Sequence, residues 1–86
     1  MEVALAAVLL PIALLMPLGG LEKALLIGSV FLVLIVELIN SALEATLDRI
    51  SLEEHPLAGR AKDVGSAAVF VSLVNLASVW IIVLFG

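Results

Sequence analysis

Val36-Glu37-Leu38-Ile39-Asn40-Ser41-Ala42-Leu43-Glu44-Ala45-Thr46-Leu47-Asp48-Arg49 is the stretch on which the reading of this chain turns. It follows a segment, Ala24 to Val36, that carries no charge. At about 100° per residue, Glu37, Asn40, Glu44 and Asp48 fall within a helix sector of about 80°, so they form one acidic stripe. An ionised carboxylate at mid-membrane costs about 2.5–3.5 kcal/mol on insertion scales, and a chain that carries several there is usually using them.

The rest of the composition says that a membrane is the right setting. The chain has 86 residues, is 64% hydrophobic and 14% charged, with a mean hydropathy of +1.34. A soluble domain of this size buries too little surface to hide so many apolar side chains. Those side chains also come in long runs rather than at amphipathic spacing, which identifies an integral membrane protein. Cysteine is absent, which excludes disulfides. Four basic residues in a net charge of -4 make no basic patch, so nucleic acid is not a partner.

Three apolar segments predict an all-α fold, a single membrane domain over 1–86 with three transmembrane helices at about 3–18, 21–50 and 63–85. Pro17, Gly19 and Gly20 mark the first turn, and Pro11 lies where a membrane helix tolerates a kink. Only Met1 and Glu2 precede the first run, so the basic leader of a signal peptide is missing. Val64 to Phe85 carries no charge, and at 1.5 Å per residue it is long enough for a hydrocarbon core of about 30 Å. Ser72, Asn75 and Ser78 recur every third residue in it and are expected to face neighbouring helices. Arg49, Arg60 and Lys62 outnumber the lone Lys23 of the other turn, so the loop at about 51–62 and the N-terminus are expected in the cytoplasm.

Two constellations can carry chemistry. Glu37 sits inside the apolar zone, where a carboxylate suits a general base. Asn40, one turn on, can hydrogen-bond it or a substrate hydroxyl. Glu44 is placed as a hard oxygen ligand for Mg²⁺, which takes one or two carboxylates together with phosphate oxygens. Asp48 either continues this line or is simply solvated at the membrane edge. The second constellation is Gly59-Arg60-Ala61-Lys62-Asp63-Val64-Gly65-Ser66-Ala67-Ala68. Lys62 offers a point charge to phosphate, although basic residues flank most cytoplasmic helix ends, and Gly65, Ala67 and Ala68 permit close helix approach. The Gly-x4-Gly-Lys-Ser/Thr phosphate loop is absent. His55, beside Pro56, reads from its neighbours as a turn residue rather than a ligand.

Taken together, the Glu-x2-Asn-Ser-x2-Glu-x3-Asp block of 37–48, His55, and the Gly-Arg-Ala-Lys-Asp-x-Gly-Ser-Ala-Ala run of 59–68 closely resemble the prokaryotic diacylglycerol kinase family. The resemblance covers nearly the whole chain and implies an integral membrane lipid kinase of the bacterial inner membrane. Its substrates would be ATP with Mg²⁺ and diacylglycerol, and its product phosphatidate. By the same resemblance Glu37 is the catalytic base, which also meets the lipid, with Asn40 beside it. Glu44 binds the metal of the nucleotide; Glu53, Glu54, His55, Lys62 and Asp63 contact the nucleotide; Glu2 and Ser66 line the lipid pocket. Members of the family are homotrimers with shared active sites. They also begin with a surface helix and a polar stretch that bears a second metal-binding carboxylate. This chain starts at Met1-Glu2 without a counterpart, so it is expected to hold Mg²⁺ less well than a longer form.

Three other readings stay open on the residues. An undecaprenol kinase shares the motif. A small oligomeric proton or ion conductor also uses buried carboxylates, but has no need of Lys62-Asp63 beside the third helix. A non-catalytic assembly subunit is the third.

Overall fold

The computed structural model describes residues 2–49 and 56–86. Three helices account for almost all of them: α1 (Glu2–Leu15), α2 (Gly20–Leu47) and α3 (Pro56–Phe85), with no strand among the described residues. The fold is all-α, as the apolar runs require.

Helix ends differ from the sequence expectation, and proline explains two of the differences. α1 stops at Leu15 rather than near 18. Pro17 disfavours helical backbone at the residue before it, so Met16 ends the run. Pro11 is carried inside α1. α3 begins at Pro56 instead of 63, so residues 56–62, expected in a loop, form its first two turns. Proline suits the first helical position, where its missing N–H would have no partner anyway, and Ala58 is buried. α2 ends at Leu47, with Asp48 as its C-cap donating its N–H to Glu44 O at 2.9 Å.

α2 is the central helix and packs more extensively on α3 than on α1. Ala6, Val30, Val33 and Leu76 form the buried core, with Leu5, Leu9, Leu10, Leu34, Leu73 and Trp80 around it. At the first turn, Lys23 Nζ donates to Leu14 O at 2.9 Å and satisfies a carbonyl at the end of α1. Trp80 Nε1 donates to Ser29 Oγ at 3.1 Å and fixes the register of α2 against α3. Ser72 is buried and donates to Val69 O, Asn75 is half-buried, and Ser78 is exposed. Residues three apart drift by about 60° on a helix, so Ser78 lies about 120° from Ser72 and the three do not share a face.

The molecule measures 54 × 22 × 16 Å and exposes 5833 Å², against about 4,900 Å² for a soluble protein of this mass. Val3, Leu15, Leu21, Leu38, Val64, Phe70 and Phe85 are all exposed. α2 and α3, of 28 and 30 residues, are long and apolar enough to cross a bilayer. α1, at 14 residues, is a shorter apolar helix. The long helices turn most of their apolar surface outward, unlike the buried core helix of a soluble protein. This is a membrane protein.

Candidate active site

The polar residues collect along the seam between the second half of α2 and the first half of α3. Asn40 is buried, at 7% exposure, and its Nδ2 donates to Glu44 Oε1 at 2.7 Å, one turn further along α2. Asn40 thus reaches down to Glu44 rather than up to Glu37. A carboxylate only accepts, so the amide end that meets it must be the NH₂, and this fixes which way the amide points. Asn40 Oδ1 is consequently buried without a hydrogen-bond partner among the described residues, a condition that costs about 1–3 kcal/mol. It is pressed against Gly65 of α3, where a Cβ would collide with it. The Gly65 Cα–H in that direction is at best a weak donor.

An apolar cleft of about 180 Å³ opens beside this contact, lined by Val36, Ile39, Asn40, Leu43, Gly65 and Ala68. Among the described residues Asn40 is its one polar side chain. The cleft is smaller than the 300–1,000 Å³ or so of ordinary ligand pockets, so it has room for one end of a ligand. Glu37 is half-buried, one turn above Asn40.

Towards the polar end of the seam, Lys62 Nζ contacts Asp48 Oδ1 at 2.6 Å. Asp63 and Ser66 are exposed on neighbouring faces of α3. Glu2 opens α1. The contacts of Lys23 with Leu14 and of Ala6 with Val30 and Val33 run α1 antiparallel to α2. Glu53, Glu54 and His55 lie outside the described residues.

Among the described residues no three carboxylates or histidines gather into a metal cage. Glu44 is half-buried, and an ionised carboxylate has about four lone-pair sites, of which Asn40 takes one. That suits a cation which draws most of its ligands from phosphate and water.

Sequence reasoning anticipated Asn40, Glu44, Asp48 and Lys62, and the fold brings them together along one seam. It named Gly65 only as a small residue, and it passed over Trp80. Neither the contact of Asn40 with Gly65 nor the bond of Trp80 to Ser29 has a local sequence signal, because both join residues distant in the chain.

Comparison with known proteins identifies relatives of the chain. The chain is 52% identical over 84 residues to a diacylglycerol kinase of Pseudomonas aeruginosa, covering 98% of this chain and 68% of that protein. A Haemophilus influenzae diacylglycerol kinase is 46% identical over 84 residues, covering 98% of this chain and 71% of its own length. For the Escherichia coli K12 diacylglycerol kinase the figures are 51% over 67 residues, 78% of this chain and 55% of that protein. The matched segment therefore spans between 55% and 71% of the length of these relatives. With the family profile matching residues 1–84, a span that takes in the whole of the seam, the chain belongs to the prokaryotic diacylglycerol kinase family.

Proposed function

We propose that this chain is a membrane lipid kinase that transfers the γ-phosphoryl group of ATP to the free hydroxyl of diacylglycerol, giving phosphatidate. The observation that carries the reading is the run of the seam. It leads from an apolar cleft walled by Asn40, through Glu44, to the charged pair Asp48–Lys62. A lipid hydroxyl suits one end of such a track and a nucleotide the other.

Each residue then has a task. Glu37 accepts the proton of the lipid hydroxyl as that oxygen attacks the γ-phosphorus, the bond to the β,γ-bridging oxygen breaks and ADP leaves. Asn40 orients Glu44 through Nδ2. Glu44 would hold Mg²⁺, which when bound with ATP supplies charge neutralisation at the phosphates. Lys62 gives the phosphates a point charge, with Asp63, Glu53, Glu54 and His55 completing the nucleotide side. Glu2 and Ser66 line the lipid side. Phosphoryl transfer is mainly positioning and charge stabilisation, which such a set can supply without a phosphate loop.

The topology that fits places residues 49–62 and the N-terminus on the cytoplasmic side of the bacterial inner membrane, where ATP is found. A homo-oligomer, a trimer by family resemblance, covers the half-buried Glu37 and Glu44 that a single copy would turn partly towards lipid.

The experiment is transfer of label from γ-labelled ATP by the purified chain in lipid–detergent micelles, offered diacylglycerol, undecaprenol or neither. Label in phosphatidate supports the reading, and label in undecaprenyl phosphate alone transfers it to the polyprenol. Label in neither lipid refutes it for these residues.

A further inference from the structure

We propose that Gly65 is a positioning residue, which by lacking a side chain seats the Asn40 amide with Nδ2 on Glu44 and Oδ1 against α3. Three observations point to it. A Cβ at Gly65 would collide with Asn40 Oδ1, whereas its next neighbour, Leu43 Cδ2, is a movable side-chain end at 3.2 Å. Gly20, Gly28 and Gly59, the other glycines within the helices, would meet nothing within 4 Å. Asn40 Oδ1 is also the buried side-chain atom left without a partner among the described residues.

The backbone of α3 does not itself ask for glycine here, since no glycine in the described structure has a positive φ. The requirement lies across the seam. Asn40 has two ways to escape a methyl group at 65. Turning its amide takes Nδ2 away from Glu44 or presents Oδ1 to a carboxylate that cannot donate. Holding the amide still forces α2 and α3 apart at the cleft. The first breaks the Asn40–Glu44 bond and the second strips α3 from behind the amide, so either way the surroundings of Asn40 change, although Gly65 carries no group that could touch a substrate.

The consequence for turnover rests on the kinase reading, but the contact itself does not, and the test separates the two. Asn40 and Asn75 are the only asparagines and the chain has no glutamine. A ¹⁵N-asparagine spectrum of the full chain in micelles therefore shows two side-chain NH₂ pairs, assigned by Asn75→Ser. Gly65→Ala should move the Asn40 pair and leave that of Asn75 in place, a signature that general loosening would not give. An Asn40 pair that stays put in folded Gly65→Ala overturns the proposal.

The second arm is kinetic. Gly65→Ala should lower turnover by about the same factor as Asn40→Ala, and adding it to Asn40→Ala should change the rate by less than about twofold, since residues acting through one contact are not additive. Multiplying losses would assign Gly65 a separate role and sink the idea. Should Gly65→Ala fail to fold, the double variant decides. It regains the fold if Asn40 is what the methyl strikes, and stays unfolded if it is not. If the parent chain phosphorylates no lipid, the kinase reading fails while the spectrum still decides the role of Gly65.

Discussion

Lys62 Nζ and Asp48 Oδ1 meet at 2.6 Å and close the α2–α3 pair at its polar end. The contact lies on the helical turns that precede the apolar run of α3, where water and salt reach both groups. An ion pair in that setting adds little to stability. Its value is in holding the ammonium beside the end of α2, one turn beyond Glu44.

Lys62→Met should therefore leave the melting temperature nearly unchanged and raise the KM for ATP by about tenfold, the scale of one lost charge-assisted contact. Thermal denaturation in micelles and an ATP titration of the initial rate read the two quantities separately. A large fall in melting temperature with an unaltered KM would make Lys62 a strut between helices instead.

Glu37→Gln keeps the shape and removes the proton acceptor. Turnover should drop by a factor of about 10²–10⁴, as general-base losses do, with MgATP binding and helix content intact. The assay is single-turnover transfer alongside nucleotide binding by equilibrium dialysis. A Gln variant that retains more than half of the parent rate would remove Glu37 from the chemistry.

Glu44→Ala takes away both the carboxylate and the partner of Asn40 Nδ2. The Mg²⁺ concentration for half-maximal rate should rise and the maximal rate should fall. A titration midpoint identical to that of the parent chain would show that Glu44 is not a metal ligand.

Topology can be read with single cysteines, because the chain has none of its own. Leu57 is exposed on the first turn of α3 and Gly86 lies at the far end. A membrane-impermeant maleimide should label Gly86→Cys in intact cells and Leu57→Cys only after permeabilisation. The opposite pattern would invert the orientation expected from Arg49, Arg60 and Lys62.

Much of the fold could be read from the residues because lipid acts as the solvent. Long uncharged runs have few alternatives to helices in a bilayer, and the stripe from Glu37 to Asp48 follows directly from helical periodicity. Helix ends were harder. Residues 56–62, with Pro56, Gly59 and the charged Arg60 and Lys62, look like a loop, yet they are helical and the apolar run merely continues them. The three-residue rhythm of Ser72, Asn75 and Ser78 turns gradually around α3, since 3 does not divide the 3.6-residue turn, so of these only Ser72 is buried within one chain. Within the site, Asn40 lies three residues from Glu37 and four from Glu44, and both spacings allow a side-chain contact. Only the placement of α3, with Gly65 behind the amide, goes with the Glu44 partner.

The bond between Trp80 and Ser29 has one further consequence. Trp80 is the sole tryptophan and the chain has no tyrosine, so its ultraviolet emission comes from a single indole lodged where α3 leans on α2. Ser29 Oγ in turn donates to Leu26 O at 2.7 Å, which ties that indole to the α2 backbone. Any slide or separation of the two long helices must release the indole N–H into hydrocarbon or to another acceptor, and its emission colour will shift accordingly. The molecule carries its own optical gauge of helix register, beyond the seam at the end of the α2–α3 interface remote from Lys62, and needs no added dye to report whether binding at one end is felt at the other.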